Sequence, residues 1–247
     1  MSRFELFSPE GLRVDGRRYN ELRAFDCSIN THPHSSDGSA YISQGNTKVL
    51  CLIRGPSDTL TTTSGATASS ADEPTISVSI IQPPYATTER KSTSRTDRRM
   101  AELSIIIKRA LQQCIVKKNY SRTLIEVSIT ILQLDGSLLP ACINAATLAL
   151  IDAGISMYDY ISACNVALYD TFPLVDSNSL EENDLSFLTI GIIGNGDKIN
   201  LLLMEDKVPL DKLQKLIDLG ITGCHNIRQL MDNVVREIGI DLLSKKL

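Results

Sequence analysis

Residues 135–155 read DGSLLPACINAATLALIDAGI. Pro140 suits the first turn of a helix, where its missing N–H is not needed, and Gly154 suits the stop. Between them the residues are apolar almost all round, and many are alanine. A surface helix keeps a polar face; one without it must be buried. The alanines further imply close approach to a sheet or to another helix.

Outward from this helix the pattern changes period. On its N-terminal side, TLIEVSITILQL (residues 123–134) reads as a strand ending at Asp135-Gly136. Before that, RTDRRMAELSIIIKRAL (residues 95–111) opens a helix with Met100, Leu103, Ile106, Ile107, Ala110, Leu111 and Cys114 on one stripe. Thr96 or Asp97 can cap its start. The first third reads as strands, with a tight hairpin at Gly45-Asn46. Residues 57–74 are rich in Ser, Thr and Ala and are expected to form a mobile surface loop. The second half returns to strands, including a hairpin at Asn195-Gly196, and Pro209 opens a long final helix in which Gly220 and Gly223 either bend the axis or admit a close neighbour. Runs of antiparallel strands with helices packed on one side predict an α+β fold.

The bulk composition narrows the class of function. The chain has 247 residues, 43% hydrophobic and 22% charged, which is ordinary for a globular protein and suits one large domain or two small ones. With a formal charge of -4, any contact with a polyanion must be local or shared with a partner. The six cysteines form no CxxC pair, so zinc is not expected, and their apolar surroundings predict free, buried thiols. No stretch is long and apolar enough for a membrane span, and the start MSRFELFSPEG lacks the apolar core of a signal peptide. An intracellular, soluble protein is expected.

Several clusters carry chemistry. Arg98 and Arg99 stand at a helix N-terminus, where a cation is unfavourable by about 0.3–1 kcal/mol. They are either a solvated helix end or, with the free backbone N–H groups there, half of a phosphate site. Gly136 and Ser137 precede the buried helix and form either a simple turn or an anion cradle. Asp176, Glu181, Glu182 and Asp184 are either oxygen ligands for a divalent ion or an acidic surface loop. GIIGNGDK (residues 191–198) does not fit the spacing of a phosphate-binding loop, and His32, His34 and His225 make no triad with a nucleophile.

Taken together, the stretches RVDGRRYNELR (residues 13–23), DRRMAEL (residues 97–103), DGSLLPACINAATLALIDAGI (residues 135–155) and VPLDKLQKLIDLGITGCHNIRQLMDNVVREI (residues 208–238) resemble the RNase PH family. The likeness covers nearly the whole chain, and its nearest branch is that of the exosome ring subunits. It implies an RNase PH-like fold within one domain, residues 1–247, with duplicated β-β-α-β type units and a long C-terminal helix. Active relatives attack the last phosphodiester of an RNA 3′ end with phosphate. They use a phosphate clamp, cations and a pair of carboxylates.

The sequence keeps the arginine pair but departs from the rest of that pattern. Ser137 is followed by Leu138 where active relatives have arginine. The first carboxylate position falls on Glu182, or on Asn183 if the alignment slips by one; the second, six residues on, falls on Leu188 or Thr189, and Asp184 is misplaced. Loss of one oxyanion donor typically costs about 2.7–4 kcal/mol in the barrier. The expectation is therefore a non-catalytic ring subunit of a eukaryotic exosome, not an enzyme, needing no cofactor or metal. Arg95, Arg98 and Arg99 are expected to guide RNA along the ring channel. An active phosphate-dependent 3′–5′ exoribonuclease and a pure scaffold are the alternatives. The resemblance implies another RNase PH-like subunit as direct partner, further ring and RNA-binding cap subunits, and a separate hydrolytic nuclease, in nucleus, nucleolus and cytoplasm.

Overall fold

The computed structural model describes residues 8, 11–58, 74–87, 90, 97–170, 172–196 and 198–246. The longest alternating runs make the centre of the first sheet. In β3 (Thr47–Asp58) and β5 (Thr123–Gln133), every second residue along most of the strand is buried. They pair antiparallel, with Cys51 opposite Ile129 and Ile53 opposite Val127. β2 (Gly38–Gln44) joins β3 through the expected turn at Gly45-Asn46, and β1 (Phe25–Ile29) closes that edge.

The other edge departs from a purely antiparallel reading. β4 (Thr75–Ile81) runs parallel to β5, and the chain returns through α1 (Arg98–Cys114). A parallel neighbour needs such a crossover. The apolar stripe of α1 supplies the packing: Ile107, Ala110, Leu111 and Cys114 are buried, and the helix lies against β4. Burying the large side chains among them contributes about 1.5–3 kcal/mol each.

The second sheet is antiparallel, in the order β7 (Phe172–Val175), β6 (Ile161–Tyr169), β8 (Ser186–Ile193), β9 (Ile199–Met204). A short helix, α3 (Ser179–Asp184), links β7 to β8. The strand–strand–helix–strand order thus occurs twice, as β3–β4–α1–β5 and β6–β7–α3–β8. β7 and α3 are absent from the sequence reading. Four residues are too few for a clear alternation, and α3 is a stretch of acidic and polar residues held by a capping box of Asn178 and Glu181.

Between the two sheets lies α2 (Leu138–Asp152), with every residue from Leu139 to Leu150 buried, packed on β2 and β3 on one side and β6 on the other. It starts two residues before Pro140, which sits in the first turn where no intrahelical partner awaits its nitrogen. Its one buried amide side chain is used: Asn144 Nδ2 donates to the Ala163 carbonyl at 3.0 Å, and the Ala163 N–H donates to Asn144 Oδ1 at 2.8 Å. The far face of the second sheet is covered by α4 (Leu210–Lys246). Of the two roles open to Gly220 and Gly223, the structure assigns close approach: a Cβ on Gly220 would lie 2.4 Å from Ile190 Cδ1, and one on Gly223 3.0 Å from Cys164 Sγ.

Both halves of the chain contribute to one contiguous core. All six cysteines are free thiols, and all but Cys27 are buried. Burial raises the Cys142 thiol to about 12, so it packs as an apolar side chain. Ser57 and Asp58 belong to β3, opposite Leu124 and Thr123, which shortens the expected 57–74 loop; residues 59–73 lie outside the described residues. Among the described residues no helix is long and apolar enough to cross a membrane.

Candidate functional site

The N-termini of α1 and α2 meet beside the second sheet and enclose a cleft. Asp97 caps α1, its Oδ1 accepting from the Arg99 N–H at 3.1 Å, and so holds the arginine pair on the first turn. Arg99 lines the cleft and is the one cation among the described residues that do so. Leu138, Leu139 and Pro140, at the start of α2, line the cleft too. The wall is one cross-strand row, Asn165 of β6 opposite Thr189 of β8, and Thr189 opposite Leu203 of β9. Glu182 of α3 completes this lining.

The base of the cleft is a polar knot that ties the two halves of the chain together. Gly136 has φ +78°, and a Cβ there would meet the Ser177 carbonyl oxygen at 2.6 Å, so only glycine fits. Ser137 and Asp176 both adopt left-handed backbone conformations, φ +51° and +54°. Such strain persists where surrounding contacts over-determine it. Here the Ser137 hydroxyl donates to Asp176 Oδ1 at 3.0 Å, and the Arg23 guanidinium grips the same carboxylate with Nη2 at 2.7 Å and Nε at 3.0 Å. Burial alone would raise the Asp176 carboxyl, but the Arg23 hydrogen bonds and charge hold it below its ordinary 3.8. Glu181 is likewise buried, paired with Arg13 through both oxygens.

Glu182 differs from both. No arginine grips it. One oxygen, Oε1, accepts from the Ser137 N–H at 2.6 Å, from Asn165 Nδ2 at 2.6 Å and from the Ser177 hydroxyl at 3.3 Å. Burial raises its pKa, and these three donors only partly offset the rise. A carboxyl so tuned, beside a helix N-terminus and in a cleft that a cation also lines, suits proton transfer or the handling of a polar anion.

The sequence-derived candidates separate on this geometry. Arg99, Leu138 and Glu182 come together in the cleft, with Ser137 buried beneath them. Arg98 does not join them: its side chain is 92% exposed and pairs with Glu102 at 3.0 Å. Arg95 lies outside the described residues. Asn183 is exposed, so Glu182 is the acidic-tract residue that faces the cleft. Six residues further on, Leu188 turns into the core, while its neighbour Thr189 lines the cleft. The acidic tract does not gather as a metal site: Asp176 and Glu181 are consumed by arginines, and no group of potential metal ligands occurs among the described residues. Sequence reasoning missed Asn165, Ser177, Arg13 and Arg23. The arginines sit inside RVDGRRYNELR, where the one available signal was their density; nothing local marks Asn165 in the apolar run SACNVALY.

Solved structures share this architecture. Rice Rrp46 superposes with a TM-score of 0.79 at 26% identity, covering 91% of this chain and 100% of that one. The Archaeoglobus fulgidus exosome with RNA bound to the active site superposes with a TM-score of 0.74 at 21% identity, covering 89% and 92%. Fold and cleft together define an RNase PH-like protein. Residues 21–156 match the RNase PH family, described as the 3′ exoribonuclease family, domain 1, and residues 159–223 match its domain 2. The chain belongs to this 3′ exoribonuclease family. It is similar to the exosome complex component SKI6 of Saccharomyces cerevisiae, 47% identical with 96% of this chain and 95% of that protein covered. It is also similar to the human exosome complex component RRP41, 32% identical with 96% of each covered.

These findings overturn the expectation that the chain is not an enzyme. That expectation rested on an arginine absent at Leu138 and a carboxylate absent at Leu188 or Thr189. Both halves of the chain match a family of exoribonucleases, and one cleft is lined by both a cation, Arg99, and a half-buried carboxyl, Glu182.

Proposed function

We propose that this chain is a core ring component of an exosome complex, and that its cleft receives the 3′ end of RNA for phosphate-dependent removal of nucleotides. One observation carries the reading: Arg99 and Glu182 line the same cleft at the N-terminus of α2, which pairs a cation for phosphate oxygens with a carboxyl of raised pKa. The first turn of α2 adds backbone N–H groups that have no partner within the helix. The similarity to exosome components over 96% of the chain supports the assembly.

In this reading the chain pairs directly with another RNase PH-like subunit, further ring and RNA-binding cap subunits complete the complex, and a separate hydrolytic nuclease acts with it. Arg99 steers RNA along the ring channel, and the complex works in nucleus, nucleolus and cytoplasm. Phosphate enters beside Arg99 and the α2 N-terminus and attacks the last phosphodiester. The products are a nucleoside diphosphate and an RNA shortened by one nucleotide, whose new 3′ hydroxyl takes up a proton. The proton comes from the attacking hydrogen phosphate, and the ionised Glu182 carboxylate takes it up and passes it to the departing 3′ oxygen.

The test is the appearance of nucleoside diphosphates from RNA, with and without inorganic phosphate, using the purified complex and the single chain. Phosphate-stimulated product that disappears in Glu182→Gln is the expected result. Product that is insensitive to phosphate, or none from either preparation, overturns the reading.

A further inference from the structure

Asn165 is buried, 1% exposed, in the middle of β6. Nothing about strand formation asks for an amide here, since its neighbours Cys164 and Val166 are core residues. Both amide hydrogens are used: Nδ2 donates to the Ser177 hydroxyl at 2.8 Å and to Glu182 Oε1 at 2.6 Å. The opposite amide orientation would set Oδ1 against a carboxylate oxygen, acceptor against acceptor, so the network itself fixes which atom is which. The oxygen left over is buried and has no hydrogen-bond partner. A small or apolar residue would avoid that unmet acceptor. The residue is therefore used for its donors, and those donors converge on Glu182.

We propose that Asn165 is a positioning residue that holds the Glu182 carboxyl ionised and aimed into the cleft, an inference that rests on the functional reading of that cleft. The Ser137 N–H fixes one side of Glu182 Oε1, and Asn165 fixes the other from the strand wall. Ser177 bridges the two, accepting from Asn165 and donating to Glu182. A charge-assisted amide bond favours the ionised carboxylate and restricts its rotation. The charged groups around Glu182 are Arg99 and Glu102 of α1, Glu205 beyond β9, and Arg23 and Asp176 beneath Ser137. None of these is altered by a change at Asn165.

The test reads Glu182 directly. The full chain, carrying ¹³C at its glutamate side-chain carboxyls, is titrated by NMR, with Glu182→Gln assigning the resonance. Asn165→Leu removes both donors at similar volume. Asn165→Asp keeps the shape but replaces a donor by a second acidic group. Both variants are expected to move the Glu182 midpoint upward by about one pH unit, the order expected for a lost charge-assisted hydrogen bond. Asn165→Asp also serves where Asn165→Leu fails to fold. In the complex, the acid limb of the pH–rate profile moves up by the same amount. Unchanged titration in both variants overturns the role. Absence of diphosphate product from the wild-type complex overturns the functional reading instead, and the two failures are told apart because the titration needs no turnover.

Discussion

Ser137 and Asp176 face each other under the cleft, both in the left-handed backbone region and joined by a hydroxyl–carboxylate hydrogen bond of 3.0 Å. One stands at the start of the helix buried between the sheets, the other just after β7. Each strained residue costs about 1–3 kcal/mol. The offset comes from what surrounds them: Arg23, Gln44 and Ser137 all donate to Asp176, and Glu182 accepts from the Ser137 N–H. The cleft's geometry and the attachment of the two halves thus share one set of hydrogen bonds.

Asp176→Asn leaves the Arg23 guanidinium buried without its counter-charge. Breaking a buried pair by removing one partner costs about 3–5 kcal/mol, and the midpoint of denaturant unfolding should fall accordingly. The pH dependence follows from the depressed Asp176 pKa. A carboxyl that titrates lower in the folded than in the unfolded state contributes stability above its unfolded value. That contribution is lost as pH falls through the folded value. The wild-type chain should therefore lose this increment on acidification below about pH 4, and Asp176→Asn should lack that part of the profile. Equilibrium unfolding between pH 3 and 7 checks both points, in the range set by ordinary carboxyl values of about 4.

Glu182→Gln behaves in the opposite sense. The Glu182 pKa is raised on folding, so the folded state holds its proton longer and stability declines as pH rises from 4.5 through the folded value. Glutamine keeps an acceptor for the Ser137 N–H and abolishes the titration. The expected outcome is a stability profile without this decline, a thermal midpoint at pH 7 equal to or above wild type, and loss of phosphate-dependent product. A fall in midpoint at neutral pH would show that the charge stabilises the fold, contrary to this account.

The three long helices and most strands were legible in the sequence because period alone defines them, whereas the six-residue α3 is too short to show one. The all-round apolar run of α2 predicted its burial, and the stripe on α1 named the residues that pack. The parallel β4–β5 pairing was not legible, since alternation in TISVSII is the same for either direction. The site was legible only in part, and for a similar reason. Period separates Leu188 from Thr189 onto opposite faces of β8, but which face meets the cleft depends on where α2 and α4 pack. Arg98 and Arg99 are neighbours in sequence, yet about 100° apart around a helix, so a pair of like residues became one cleft residue and one solvent residue. Asn165 and Arg23 reach the site across 17 and 153 residues of separation, to Glu182 and Asp176 respectively, and no local pattern carries that.

Leu138→Arg tests the electrostatics of the cleft mouth. Leu138 and Arg99 both line the cleft, and an added guanidinium would give phosphate a second cation. A hydrogen bond to a charged group is worth about 1.5–3 kcal/mol, so phosphate should bind about tenfold or more tightly. The site is solvent-connected, so the gain should shrink with added salt. Calorimetric titration with phosphate at two ionic strengths reads this, and the KM for phosphate should fall in parallel. Unchanged affinity would mean that an arginine at 138 turns away from the cleft.

Arg98→Ala and Arg99→Ala should differ although the residues are adjacent and chemically identical. Arg98 is fully solvated and already paired with Glu102 on the outer face of α1, an exposed ion pair worth about 0–1 kcal/mol at most. Removing it takes a cation away from a helix N-terminus, which is neutral or mildly favourable. Arg99 lines the same cleft as Glu182 and the start of α2, where a phosphate of the RNA backbone would lie. Its loss should weaken RNA binding by the assembled complex and lower the slope of log K against log salt by about 0.7, the value for one phosphate contact to a single strand. Arg98→Ala should leave that slope unchanged. Because both side chains are on the first turn of one helix capped by Asp97, a general disturbance of α1 would affect the two variants alike. Equal losses in both would therefore refute the assignment of Arg99 to the RNA path, and a loss confined to Arg99→Ala would establish it.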